Sequence, residues 1–133
     1  MSEKVDVIKL HKDAQALMES GKLAEARDLF TKVAELYYKG QNYFGSAEMN
    51  YKAGECSANL KEYEKAAEYF NKAAEVSFAK GFDRYGLTAL EGARDAQKAL
   101  GNEKAVEEIN AKIAEIKKKN EQPEEESSFS VFS

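Results

Sequence analysis

The chain has 133 residues, enough for one domain with a modest core. A single proline leaves little to interrupt helices, and a single cysteine excludes an internal disulfide and fits a reducing compartment. The net charge of −4 is accounted for by Glu121, Glu124, Glu125 and Glu126, so positions 1–120 hold 20 acidic against 20 basic residues and lack the positive excess of a broad nucleic-acid surface.

Helices are expected at roughly 3–20, 23–39, 43–60, 62–80, 84–100 and 102–119. The second, within "GKLAEARDLFTKVAE", and the fourth, within "LKEYEKAAEYFNKAAE", carry much the same text. A shift of 40 residues places Leu23 on Tyr63, Ala26 on Ala66, Phe30 on Phe70, Val33 on Ala73 and Ala34 on Ala74. A small residue, an aromatic four positions on and a small residue three later lie on one helix face. The small positions let another helix approach, and the aromatics fill the space beside them. "LGNEKAVEEINAKIAEI" gives a weaker third copy, in which a shift of 39 pairs Ala105 with Ala66 and Ile109 with Phe70. Between the copies, "YYKGQNYFGSAE" parallels "FAKGFDRYGLTA", with Lys39-Gly40 and Lys80-Gly81 lying 41 apart. Gly40 and Gly81 are expected as helix C-caps, and Gly21, Gly40, Gly81 and Gly101 punctuate four of the five junctions. Lys117, Lys118 and Lys119 suit the last turn of the final helix. Such short junctions make neighbouring helices antiparallel.

These residues resemble the tetratricopeptide repeat (TPR), in a form with a period near 40. Gly54, Tyr63, Ala66, Phe70 and Ala73 stand at its signature positions in the second repeat, as do Ala14, Leu17, Gly21, Leu23, Ala26, Phe30 and Val33 in the first. The likeness spans about residues 5–119, although the usual tryptophan and repeat-closing proline are absent. It implies an all-α fold of three stacked antiparallel helical hairpins, a TPR-like superhelix over residues 1–119 with repeats near 3–40, 41–81 and 82–119. Residues 120–133 form a tail expected to be disordered. The stretch from Tyr37 to Phe70 also resembles, over a much shorter length, the soluble NSF attachment proteins.

The TPR resemblance implies a concave surface built by the first helix of each hairpin, binding a peptide or helix. The positions it selects are Ile8, His11, Lys12 and Gln15, then Glu48, Tyr51, Lys52, Glu55 and Asn59, then Leu87, Leu90, Glu91, Arg94 and Lys98. An ordinary solvated face would show similar residues. Some TPR domains clamp a terminal carboxylate with Lys, Asn and Arg. Here the first pair reads His11 and Gln15, and the third falls near Leu87 and Glu91, so a receptor for acidic chaperone tails is not expected. In the tail, Phe129, Val131 and Phe132 follow a run of glutamates, as in a short binding motif or an inert overhang. Lys12, Lys52, Arg94 and Lys98 would meet those glutamates if the tail docked on its own groove or a neighbour's.

His11, the only histidine, has no partner at metal-ligand spacing, and Cys56 reads as a buried apolar residue. Neither GxxxxGK[ST], GxSxG nor HExxH occurs. No enzymatic activity, cofactor or metal is therefore expected, and the partners would be a protein or peptide, the chain's own tail, or a second copy. A SNAP-like adaptor in membrane-fusion or AAA ATPase machinery and a self-assembling scaffold are the alternatives. No apolar run approaches the roughly 18 residues of a membrane span. The opening "MSEKVDVIKL" lacks the order of a signal peptide, which points to the cytoplasm.

Overall fold

The structure is a computed structural model that describes residues 5–121, together with the backbone of the last helix to its end. The described residues form six α-helices and no strand: α1 (Val7–Glu19), α2 (Leu23–Lys39), α3 (Tyr43–Asn59), α4 (Tyr63–Ala79), α5 (Asp83–Ala99) and α6 (Glu103–Phe132). Each helix packs on its neighbours in sequence, giving three antiparallel hairpins stacked side by side; α3 additionally touches α5. α6 runs on past Lys119, so the three lysines do not close it as expected. The side chains of the expected tail motif, Phe129, Val131 and Phe132, lie outside the described residues.

Every junction has the same form. Three residues connect each pair of helices, and the middle one is left-handed: Gly21 (φ +79°), Gln41 (+66°), Lys61 (+63°), Gly81 (+84°) and Gly101 (+76°). In the first junction the Gly21 N–H donates to the Met18 carbonyl at 3.0 Å and the Lys22 N–H to that of Leu17 at 2.9 Å. The same pair of bonds recurs at the other four, satisfying carbonyls that a helix end leaves bare. The residue after each left-handed position immediately precedes the next helix. Asn42 accepts from the Gly45 N–H at 2.9 Å, which closes the N-terminus of α3.

The left-handed residues fall twenty apart, so the hairpin period is a uniform 40. Gly40 is the C-cap of α2, as expected, with φ −84°, and the left-handed residue of that turn is Gln41. Two expectations are corrected. The match of Lys39-Gly40 to Lys80-Gly81 is therefore one position out of structural register. In α6 the register is also 40 rather than 39: Val106 corresponds to Ala66, Ile109 to Tyr69 and Ile113 to Ala73, and Ile113 is buried against Ala73 and Leu90. The last turn is no shorter than the others.

The repeated alanines sit where helices meet. Ala66 and Ala67 on α4 pack with Ala93 and Ala96 on α5, and Phe70 completes that cluster. The Phe70 ring also explains two glycines. A Cβ built on Gly54 of α3 would lie 2.8 Å from its Cδ1, and one built on Gly92 of α5 would lie 2.8 Å from the same atom. The ring edge thus occupies a notch between α3 and α5 that any side chain would fill. Phe78 meets Gly86 in the same way at 2.7 Å, lower on the α4–α5 seam. Burying one phenylalanine contributes about 1.5–3 kcal/mol.

Two outcomes follow for equilibrium unfolding in urea. Gly54→Ala gains about 1 kcal/mol in helix propensity, but overpacking against Phe70 costs about 1–3 kcal/mol, so the variant is expected to be less stable than wild type. Lys61→Gly relieves a left-handed side chain at an exposed turn and is expected to raise stability by about 0.5–1 kcal/mol. A stabilised Gly54→Ala, or a destabilised Lys61→Gly, would contradict the packing and the turn geometry respectively.

Candidate functional site

The first helices of the hairpins, α1, α3 and α5, share one side of the stack. α3 and α5 touch on this side, here the inner side, whereas the side of α2, α4 and α6 is the outer one. It carries two depressions. One, of about 490 Å³, lies between α1 and α3 and is lined by Ile8, His11, Lys12, Tyr37, Phe44 and Glu48. The other, of about 270 Å³, lies between α3 and α5, with Tyr51, Glu55, Asn59, Tyr63 and Asp95 around a base that includes Phe70 and Gly92.

A train of rings runs along this side. Phe82 meets Phe44 at 5.3 Å between centroids, Phe44 meets Tyr85 at 5.2 Å, Tyr85 meets Tyr51 at 5.7 Å, and Tyr51 meets Phe70 at 5.1 Å. All are edge-to-face, the arrangement favoured by the ring quadrupoles. Phe44 is exposed, so the train is open to solvent at that ring. His11 Nδ1 lies 2.8 Å from the Tyr37 hydroxyl, and this shared hydrogen bond ties α1 to α2.

Carboxylates surround the tyrosines. Burial raises the Tyr51 phenol above its ordinary range, and Glu55, Glu91 and Asp95 raise it further. Burial, then Glu48, Tyr51 and Glu55, does the same at Tyr85. Both phenols therefore remain protonated at neutral pH and can donate hydrogen bonds. Burial pushes the Glu55 carboxyl up, and the nearby Lys52 ammonium partly offsets this.

The candidate residues separate into groups. His11 and Lys12 stand in the α1/α3 depression, whereas Gln15 donates to Glu19 on its own helix at 3.2 Å. Tyr51, Glu55 and Asn59 meet in the α3/α5 groove, with Lys52 on the same helix. The third set needs correction. Leu90 is 3% exposed and belongs to the core. Arg94 Nε lies 3.3 Å from Asp95, its Nη1 donates toward Asn110 at 3.4 Å, and it lines the α5/α6 side together with Lys98. The basic lining expected across the groove is thus absent from its α5 wall. The equivalents of Tyr51 and Glu55 at the true shift of 40 are Glu91 and Asp95. Phe44, Tyr63, Tyr85 and Asp95 were missed, and the uniform 40-residue period is the signal that finds Asp95.

A third cavity, of about 530 Å³, lies on the outer side between α2 and α4. Ala34, Tyr38, Tyr69 and Val76 wall it, and the buried Asn50, whose amide donates to the Ser46 carbonyl at 3.1 Å, lies at its floor. Cys56 is buried, and its thiol is pushed up by burial and by Glu55. Among the described residues no group of three or more His, Cys, Asp or Glu side chains is placed to hold a metal ion, and no helix is long and apolar enough to cross a membrane. Comparison with protein-family models, curated proteins and solved structures finds no match to this chain.

The position of Glu55 has a consequence for stability. Its folded-state pKa lies above the unfolded one, so ionisation penalises the fold. That penalty is absent below the unfolded carboxylate range near about 4 and complete once pH has risen through the folded pKa. Glu55→Gln should therefore raise the urea midpoint at pH 7 and leave it nearly unchanged at about pH 3.5. An equal effect at both pH values would show that ionisation of Glu55 is not the cause.

Proposed function

We propose that this protein is a non-enzymatic interaction module of the tetratricopeptide-repeat kind, which holds a segment of another protein against the side formed by α1, α3 and α5. The observation that carries this is the ring train from Phe82 to Phe70, flanked by two depressions on the same side. Tyrosines backed by a rigid helical frame supply contact area at low entropic cost and are enriched at the centres of protein interfaces. The α3/α5 depression is smaller than the roughly 300–1,000 Å³ typical of small-molecule sites, which suits a single side chain of a longer ligand. The α6 end of the stack is less suited to binding. Glu107, Glu108, Lys112 and Glu115 stand exposed on α6, which caps the last hairpin with polar groups and disfavours growth by stacking.

Site-specific photocrosslinking tests the proposal. A photoreactive residue at Lys52, on the inner side, should crosslink to another protein when the full chain is exposed to an extract of its native source. The same residue at Lys112, on the exposed face of α6, should give much less product. Equal or absent crosslinking at both positions would contradict the assignment of the binding side.

A further inference from the structure

Resting on that reading of the inner side, we propose that the α3/α5 groove accepts a lysine- or arginine-bearing segment, with one cationic side chain against Tyr51 and the carboxylates of Glu55, Glu91 and Asp95 around it. The groove combines two features that favour a cation. The first is aromatic: Tyr51 and Tyr63 line it, and Phe70 lies at its base. A ring face attracts an ammonium or guanidinium within about 6 Å of its centroid, and this chain already makes one such contact, with the Lys80 ammonium 4.0 Å from the Tyr43 centroid.

The second feature is charge. Glu48 and Glu55 on α3 and Glu91 and Asp95 on α5 lie close enough to raise the Tyr51 or Tyr85 phenol. The opposing cations are Lys52 on α3 and Arg94 on α5. Lys52 offsets only part of the Glu55 shift, and Arg94 is directed to Asp95 and to Asn110 on α6. Glu48 shares the α1/α3 depression with Lys12, so three carboxylates, Glu55, Glu91 and Asp95, against Lys52 and Arg94 leave the seam negative. An arriving cation replaces water around Glu55, whose burial already costs it solvation. An acidic segment, including the glutamates at 124–126 of this chain, has the wrong sign for this seam.

Peptide titration followed by two-dimensional amide NMR of the full chain tests this directly. The probes are peptides of about eight residues, capped at both ends, with leucine alternating with arginine in one and with glutamate in the other. The arginine peptide should move the amides of Tyr51, Glu55, Glu91 and Asp95. Its affinity should fall when salt is raised from about 0.05 to about 0.5 M, as expected for a screened charge contact. Glu55→Gln with Glu91→Gln should weaken it about tenfold. If the double variant does not fold, the salt dependence and the site of the shifts decide. Equal binding of the glutamate peptide in the same groove would overturn the cationic specificity and leave the segment-binding reading standing. So would salt-independent binding, or undiminished binding by the folded double variant. Shifts confined to the α2/α4 cavity around Asn50 and Val76, or no shifts on α1, α3 and α5 with either peptide, would count against both.

Discussion

The Phe70 ring enters the notch between Gly54 on α3 and Gly92 on α5 so closely that neither position has room for a Cβ. That contact sets how near the first helices of two successive hairpins come to each other, and hence the spacing of the inner side. The same ring meets Tyr51 edge-on and lies at the base of the α3/α5 groove. Core and candidate site therefore share one side chain. A change that moves Phe70 shifts the groove walls along with the hairpin interface.

Around this contact the architecture is nearly one-dimensional. Helices pack mainly on their sequence neighbours, joined by five turns of one design spaced twenty residues apart. Stability in such a stack is approximately the sum of the hairpins and their interfaces. The first interface is filled by large groups, with Phe30, Val33 and Met49 fully buried. The second brings alanines of α4 against alanines of α5, with Phe70 filling one cluster and Leu90 and Ile113 the other. Against this economy, a half-buried carboxylate at Glu55 works against folding, as expected where a site and a fold place different demands on one position.

Much of the fold was legible because Ala66, Phe70 and Ala73 repeat the spacing of Ala26, Phe30 and Val33, and side-chain size at helix contacts is a local property of the sequence. The turns were less legible. Glycine marks a left-handed residue at Gly21, Gly81 and Gly101, but Gln41 and Lys61 adopt the same conformation, and Gly40 beside Gln41 suggested a register one residue off. In the third hairpin the shift of 39 placed Leu90, Arg94 and Lys98 in the groove alongside Glu91, where the structural shift of 40 selects Glu91 and Asp95. The sign of the groove was misjudged for the same reason. Charge on a helical face depends on rotation by single residues, and each residue turns the helix by about 100°. Pairs such as Phe44 with Tyr85 and Tyr51 with Tyr85 depend on how α3 and α5 cross, which no local pattern encodes.

The account depends most on the position of one ring. Nuclear Overhauser spectra of the protein labelled at phenylalanine and glycine measure it directly. The account predicts strong cross-peaks from the Phe70 ring protons to the α-protons of both Gly54 and Gly92. Cross-peaks to only one of the two glycines, or to neither, would mean that the ring does not bridge α3 and α5 and would contradict the shared origin of the core and the groove.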